Sequence, residues 1–226
     1  MHLVTLSFDD GFARSCPAIA AIYERHGFRA CFNVLATGHL PDFVPTDRHL
    51  RGLGDFGLWN ELAARGHEVM PHGWRHANKT KLPFEEAKDL TLRCLDVFER
   101  DLRGFTRDRA VYSFPFNAST PELEAWLPTV VRAFRTAGSA INPLPKPGTA
   151  KLTCAAFGPG NCEQDLDRWL DLLLSAPEGW LIYNTHGLDG EGWGPIGNDY
   201  LDRLLGRLRE IPSVRVLPAG VTLEIA

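Results

Sequence analysis

The chain has 226 residues, enough to bury a large core, with 44% hydrophobic residues, 23% charged residues and a formal net charge of −4. That balance is ordinary for a globular protein and excludes an electrostatic case for nucleic acid or an anionic membrane as partner. No run of about 18 apolar residues is present, so no membrane span is expected, and five scattered cysteines without C-x-x-C spacing read as reduced thiols rather than a zinc site.

Met1-His2-Leu3 enters the first strand directly and leaves no room for a signal peptide, so a cytoplasmic protein is expected. The run Leu3-Val4-Thr5-Leu6 reads as a buried strand and leads into Ser7-Phe8-Asp9-Asp10-Gly11. Asp-Asp-Gly alone reads as a plain turn in preference to a site, since Asp and Gly dominate turns. Adjacent carboxylates at a strand end nonetheless repel unless a cation or donors share the place. Ser15 can cap a helix with Pro17 in its first turn, ended by Gly27, and Ala30–Leu35 is the next strand. The irregular stretch from Ala36 to Gly54 is long enough to suggest a functional loop. A helix around Leu58–Ala63 and a short strand, His67–Met70, empty into Pro71-His72-Gly73-Trp74-Arg75-His76. Ala87, Leu90, Cys94, Leu95, Phe98 and Leu102 mark one face of a long helix, and Val111–Phe114 is a strand that stops at Pro115.

Thr120-Pro121 starts another predicted helix running to Phe134, which Pro128 should kink or divide. Ser139–Ile141 is a weak strand, Leu152–Phe157 a clearer one, and Gln164–Ser175 an amphipathic helix. Trp180–Asn184 is a convincing late strand leading to Thr185-His186-Gly187. A glycine-rich loop to Gly197, a helix capped by Asn198 and a last strand over Val214–Leu217 complete the chain. With no repeat and no linker, residues 1–226 are expected to form a single domain. Seven or eight β/α alternations predict a parallel sheet covered by helices, an irregular (β/α) barrel first and an open doubly wound sheet second. Either architecture gathers ligands at the carboxyl ends of the strands, where Asp9, Asp10, His72, Pro115 and His186 all fall. His72 and His76 have the i, i+4 spacing that lets two imidazoles share a metal, and with Asp10 they make a nitrogen–nitrogen–oxygen set.

Phe8-Asp9-Asp10-Gly11, then Gly66–His76, then Thr185-His186, taken in that order, resemble the polysaccharide deacetylase family (the NodB-homology domain, carbohydrate esterase family 4). The resemblance implies an incomplete (β/α) barrel of the NodB-homology type and metal-dependent removal of N-acetyl or O-acetyl groups from sugars. It implies Asp10, His72 and His76 as metal ligands, most often for Zn2+. It also implies Asp9 as general base, His186 as general acid, and the backbone N–H of Phe116, after Pro115, as oxyanion donor.

The later motifs depart from the family pattern. Its third motif carries an arginine that holds the catalytic aspartate, and here that position is Ser113 of Ser113-Phe114-Pro115-Phe116. The fourth motif survives only as Asp165-Leu166-Asp167-Arg168-Trp169. Arg168 is therefore one candidate to replace the missing charge, although the favoured reading is that the segment only opens an amphipathic helix with an acidic first turn. Trp169 is a candidate for the pocket, and Asn184, where the family has leucine, makes the acyl pocket more polar. The expected substrate is an acylated carbohydrate, a soluble sugar or a sugar-linked intermediate rather than a wall polymer. The alternatives are an amidase acting on a non-sugar C–N bond, or a catalytically silent domain that binds sugar and keeps the metal. Oligomeric state leaves no trace in the sequence.

Overall fold

Nine strands and seven α-helices alternate along residues 1–225, the part of the chain that the computed structural model describes. The strands are β1 (His2–Asp10), β2 (Cys31–Val34), β3 (Glu68–Pro71), β4 (Val111–Ser113), β5 (Ala133–Ala137), β6 (Ile141–Asn142), β7 (Lys151–Ala156), β8 (Gly179–Thr185) and β9 (Val214–Val216). The helices are α1 (Ser15–Arg25), α2 (Phe56–Ala64), α3 (Phe84–Asp101), α4 (Pro121–Trp126), α5 (Glu163–Ser175), α6 (Asn198–Arg209) and α7 (Ala219–Glu224). Seven parallel strands run in the order β3-β2-β1-β8-β7-β5-β4, while β6 pairs antiparallel with β8 and β9 pairs with β1. The sheet curls almost into a barrel, as the β/α alternation predicts. No helix of the described residues is long and apolar enough to cross a membrane.

The barrel is incomplete between β3 and β4, which share no backbone ladder. That seam is crossed by the Val111 amide, 3.4 Å from Met70 Sδ, and by a bond from His72 Nδ1 to the Ser113 carbonyl, 3.0 Å. An open seam leaves a β4 carbonyl free to accept from a side chain, and a site residue uses it.

β1 is buried along its whole length, and its two faces do different work. Val4, Leu6 and Phe8 pack outward against Ile19 and Tyr23 of α1. Leu3 points inward to an apolar floor with Val111, Ala133, Leu152, Trp180 and Ile182, which Ala219 and Leu223 of α7 close from below. This is the period-two alternation of a strand covered on both sides. Above the floor the interior turns polar. Ser7 is paired with Asn184, Asp9 with Asn33, and Ser113 with Arg135 across their parallel ladders. An apolar base and a polar rim at the carboxyl ends set the place of the site.

Three local expectations are revised. The helix predicted to reach Phe134 stops at Trp126, followed by a 3₁₀ turn over Leu127–Thr129 and then β5. Pro128 lacks the N–H that would continue the helix, and the β-branched pair Val130-Val131 leads into the strand. Ser15 does not cap α1; its hydroxyl donates to Glu191, while its own amide lies 3.1 Å from that carboxylate. Asn198 opens α6 as its first residue, with its amide held by Asp189 at 2.9 Å, instead of preceding the helix as a cap.

Candidate active site

At the end of β1 the pleat would send Asp9 and Asp10 to opposite faces, but Asp10 has φ 75° and Gly11 φ 87°. The left-handed turn brings both carboxylates into the mouth of the barrel, a conformation aspartate tolerates better than most residues. A Cβ at Gly11 would stand 2.9 Å from both Trp59 Cζ2 and Val34 Cγ1, so only glycine fits there.

His72 and His76 arrive on the turn after β3, not on a helix. That turn is held by bonds from the Ala36 and Thr37 amides to the Gly73 and Trp74 carbonyls, 3.0 and 3.2 Å. His72 Nε2 lies 3.5 Å and His76 Nε2 3.6 Å from Asp10 Oδ1. His186, just beyond β8, points Nε2 at Asp10 Oδ2 from across the mouth, 3.8 Å away. A cavity of about 290 Å³ opens over these groups, with Asp47 and His49 at its rim and Asn117, Asn184 and Trp193 along its far wall.

The hydrogen bonds around the histidines fix their tautomers. His72 Nδ1 sits on the Ser113 carbonyl and must donate to it. The Thr46 hydroxyl donates to the His76 carbonyl at 2.8 Å, leaving its oxygen to accept from His76 Nδ1 at 3.2 Å. Both Nε2 atoms therefore present lone pairs to a carboxylate oxygen, Asp10 Oδ1, that is buried without a hydrogen-bond partner. Burial, reinforced by the Arg135 charge, pushes His72 down to about 3, and burial with the neighbouring His72 pushes His76 to about 3. Burial and then the Asp9 charge push the Asp10 carboxyl well up. The two Nε2 lone pairs and Asp10 Oδ1 face one another as acceptors, so the place between them favours a cation, a proton or a metal ion. Asp10, His72 and His76 offer ligand atoms within 4.8 Å of one another, a donor set that fits a divalent metal with open positions.

Asp9 is held on both oxygens. Asn33 Nδ2 donates to Oδ1 at 2.9 Å, and Arg135 Nη2 pairs with Oδ2. Arg135 was not legible as a site residue because its segment reads as the tail of a helix. The available signal was Pro128 followed by a β-branched pair. The segment opens an amphipathic helix, the favoured reading, and the candidacy of Arg168 for the missing charge is corrected: its guanidinium bonds Asp165 at 2.7 Å and lies 4.5 Å over the Trp169 ring. Amphipathic α5 buries Leu166, Leu170 and Leu173, which leaves Arg168 more than half exposed and keeps it and Trp169 out of the cavity wall. Trp193 takes the aromatic place instead, edge-on to His186 with centroids 5.9 Å apart. Among the described residues His186 Nδ1, buried, has no partner, and Asp165 is engaged by Tyr183 Oη at 2.9 Å and by Arg168. Burial lowers His186 to about 4, against the pull of Asp9. Phe116 covers His76 with ring centroids 4.4 Å apart, and both Phe116 and Asn117 sit at positive φ, 60° and 51°. Pro115 is buried beneath them, outside the cavity wall.

Residues 1–142, more than half of the chain, match the family model described as polysaccharide deacetylase. No curated protein is similar enough in sequence to count as a match. Among solved structures, a family 4 acetyl xylan esterase from Clostridium thermocellum, in complex with a cobalt ion, superposes with a TM-score of 0.65 at 15% identity, over 99% of this chain and 91% of that one. The peptidoglycan deacetylase PdaC from Bacillus subtilis gives 0.60 at 16%, again over 99% and 91%. A CE4 family pseudoenzyme from Bacillus anthracis gives 0.62 at 14%, over 98% of this chain and 65% of that one. At these identities the structural likeness speaks for the fold, a NodB-type barrel. With most of the chain matched in sequence as well, it belongs to the polysaccharide deacetylase family.

Proposed function

We propose that the chain is a metal-dependent hydrolase that removes acetyl groups from an N-acetylated or O-acetylated carbohydrate. The observation that carries this reading is the convergence of Asp10, His72 and His76 beside two further titratable groups, Asp9 and His186, in one cavity. Zn2+ suits two imidazole nitrogens and one carboxylate oxygen, because catalytic zinc sites take three protein ligands and keep a position open. When bound, the metal supplies Lewis-acid polarisation of the acyl carbonyl and makes water easier to deprotonate.

The chain's own residues supply the proton transfers. Asp9, adjacent in sequence to a ligand and anchored by Arg135 and Asn33, takes the proton of the attacking water as general base. His186 Nε2, on the opposite side of Asp10, delivers a proton to the departing amine or alcohol. The backbone N–H of Phe116 is the proposed donor to the oxyanion. The closed far wall takes the small acyl group, and the rim at Asp47, His49 and Phe116 faces the rest of the substrate.

Acetate release from acetylated oligosaccharides by the zinc-loaded protein is the direct test. Asp9→Asn and His186→Ala should each lower kcat by about 10²–10⁴-fold while zinc remains bound. Full activity in Asp9→Asn would remove the assigned base and with it this mechanism. One observation favours a second reading: the orphaned Nδ1 of His186 leaves the proposed acid without an orienting carboxylate. A silent domain that binds sugar and keeps the metal would show bound zinc and no turnover on any acetylated sugar.

A further inference from the structure

We infer that Arg135 is a positioning residue for Asp9, doing from β5 the work for which β4 offers only Ser113. The inference rests on the hydrolase reading above. Ser113 and Arg135 are direct partners in the parallel ladder between β4 and β5. Paired residues share a face, so Arg135 starts about 4.8 Å along the barrel wall from the Ser113 position and points into the same interior layer. Its guanidinium reaches Asp9 Oδ2 with Nη2 and Ser7 Oγ with Nη1 at 3.1 Å. Ser113 has joined the opposite side of the same network. Its hydroxyl donates to Asn33 Oδ1 at 3.0 Å, which orients Asn33 so that Nδ2 donates to Asp9 Oδ1.

Two features argue against a merely stabilising ion pair. A buried pair of charges gains little over apolar residues of the same volume, so stability alone does not account for a fully enclosed arginine here. Asp9 Oδ2 also lies 3.6 Å from His72 Nε2, close enough to be drawn toward the metal ligands if Arg135 released it. Arg135 thus separates the two aspartates by role, keeping Asp9 as base and leaving Asp10 to the metal. The ladder also explains why the two positions are complementary. Arginines at both 113 and 135 would set two buried cations one strand spacing apart beside a single carboxylate, so a small residue at 113 accompanies the arginine at 135.

The test is an exchange of the pair, read by kinetics and by structure. Arg135→Met should lower kcat at least 100-fold with KM and zinc stoichiometry within threefold of the parent. Arg135→Lys, which keeps the charge and secures the test if the methionine variant folds poorly, should lose at least tenfold. The exchange Ser113→Arg with Arg135→Ser should recover at least tenfold of the activity lost in Arg135→Met. Crystals of the exchanged protein should show the new guanidinium on Asp9. Recovery of the melting temperature without recovery of kcat, or an exchanged arginine that points away from Asp9, overturns the inference. So does a kcat within tenfold of the parent in Arg135→Met. If the parent turns over no acyl substrate, the hydrolase reading fails, and the position of Asp9 in crystals of Arg135→Lys and of the exchanged pair still decides whether Arg135 positions it.

Discussion

The far wall of the cavity has a fixed hydrogen-bond polarity. Asn184 Nδ2 donates to the Thr185 and Ser7 carbonyls at 3.1 and 3.4 Å, so its Oδ1 must be the atom that accepts from Asn117 Nδ2 at 3.0 Å. Asn117 Oδ1 is then left as a buried acceptor with no partner. A plain acetyl methyl offers that atom no donor, whereas an acyl group bearing a hydroxyl, such as glycolyl, carries one. Asn184→Leu should therefore raise the kcat/KM ratio of N-acetyl over N-glycolyl substrate by roughly tenfold, the scale on which one polar contact discriminates. An unchanged ratio would show that the wall does not read the acyl group. A second residue-scale case lies outside the cavity. Lys79 is 2% exposed, its ammonium meets only the Ala87 carbonyl at 3.4 Å and the Tyr112 face at 5.6 Å, and burial lowers it to about 8. The unfolded chain keeps that proton up to about 10.4, so the penalty is full below pH 8 and fades as pH rises toward 10.4. Lys79→Met should stabilise the protein at pH 7 by on the order of 1–3 kcal/mol, with the advantage shrinking across that window. Denaturant melts at pH 7 and pH 10 check the sign; a variant equally destabilised at both would mean that Lys79 is needed for packing.

At the scale of elements, the loop from Gly187 to Gly197 is built as a fitted part of the site. Glu191 ties it to the start of α1 through the Ser15 hydroxyl and amide, and Ser15 Oγ accepts from the Leu188 amide at 2.9 Å. Gly192 lets the backbone pass within reach of His186 and Phe12, where a Cβ would stand 2.8 Å from each. The result is Trp193 against His186. Glu191→Ala should raise KM severalfold with a smaller change in kcat, because it loosens a wall and not a proton path; steady-state kinetics would show the opposite if the loop acted on His186 itself. The elements also show where sequence reading reached and where it ended. β1, the turn bearing His72 and His76, and β8 with His186 were legible because strand pattern and motif coincide in each. β5 was not, since Val130, Val131 and Phe134 also fit a helical period, and losing the strand hid Arg135. The fourth-motif position suggested Arg168 for the missing charge, but the sheet places Arg135 directly beside Ser113, 22 positions away in the numbering. Local pattern carries no information about that register.

For the whole molecule, the incomplete barrel decides how folding and metal are coupled. The apolar floor around Leu3, Trp180 and Ile182 and the helix-facing core of Phe8, Ile19 and Tyr23 form without the site. The proposed metal ligands, by contrast, join the end of β1 to the turn after β3, next to the seam that no backbone ladder closes. Metal should therefore tighten this edge of a barrel that is already folded, unlike small zinc modules that are unfolded without their ion. At a free zinc concentration 100 times the dissociation constant, the native state gains about 2.7 kcal/mol, which shifts the midpoint of a domain this size by several degrees. Chelation should thus lower the melting temperature by that amount while the far-ultraviolet spectrum keeps its mixed α/β form. His72→Ala should melt near the chelated protein and no longer respond to zinc. Collapse of the fold on chelation would mean that the site nucleates the barrel, and a zinc response retained in His72→Ala would move the metal away from Asp10, His72 and His76.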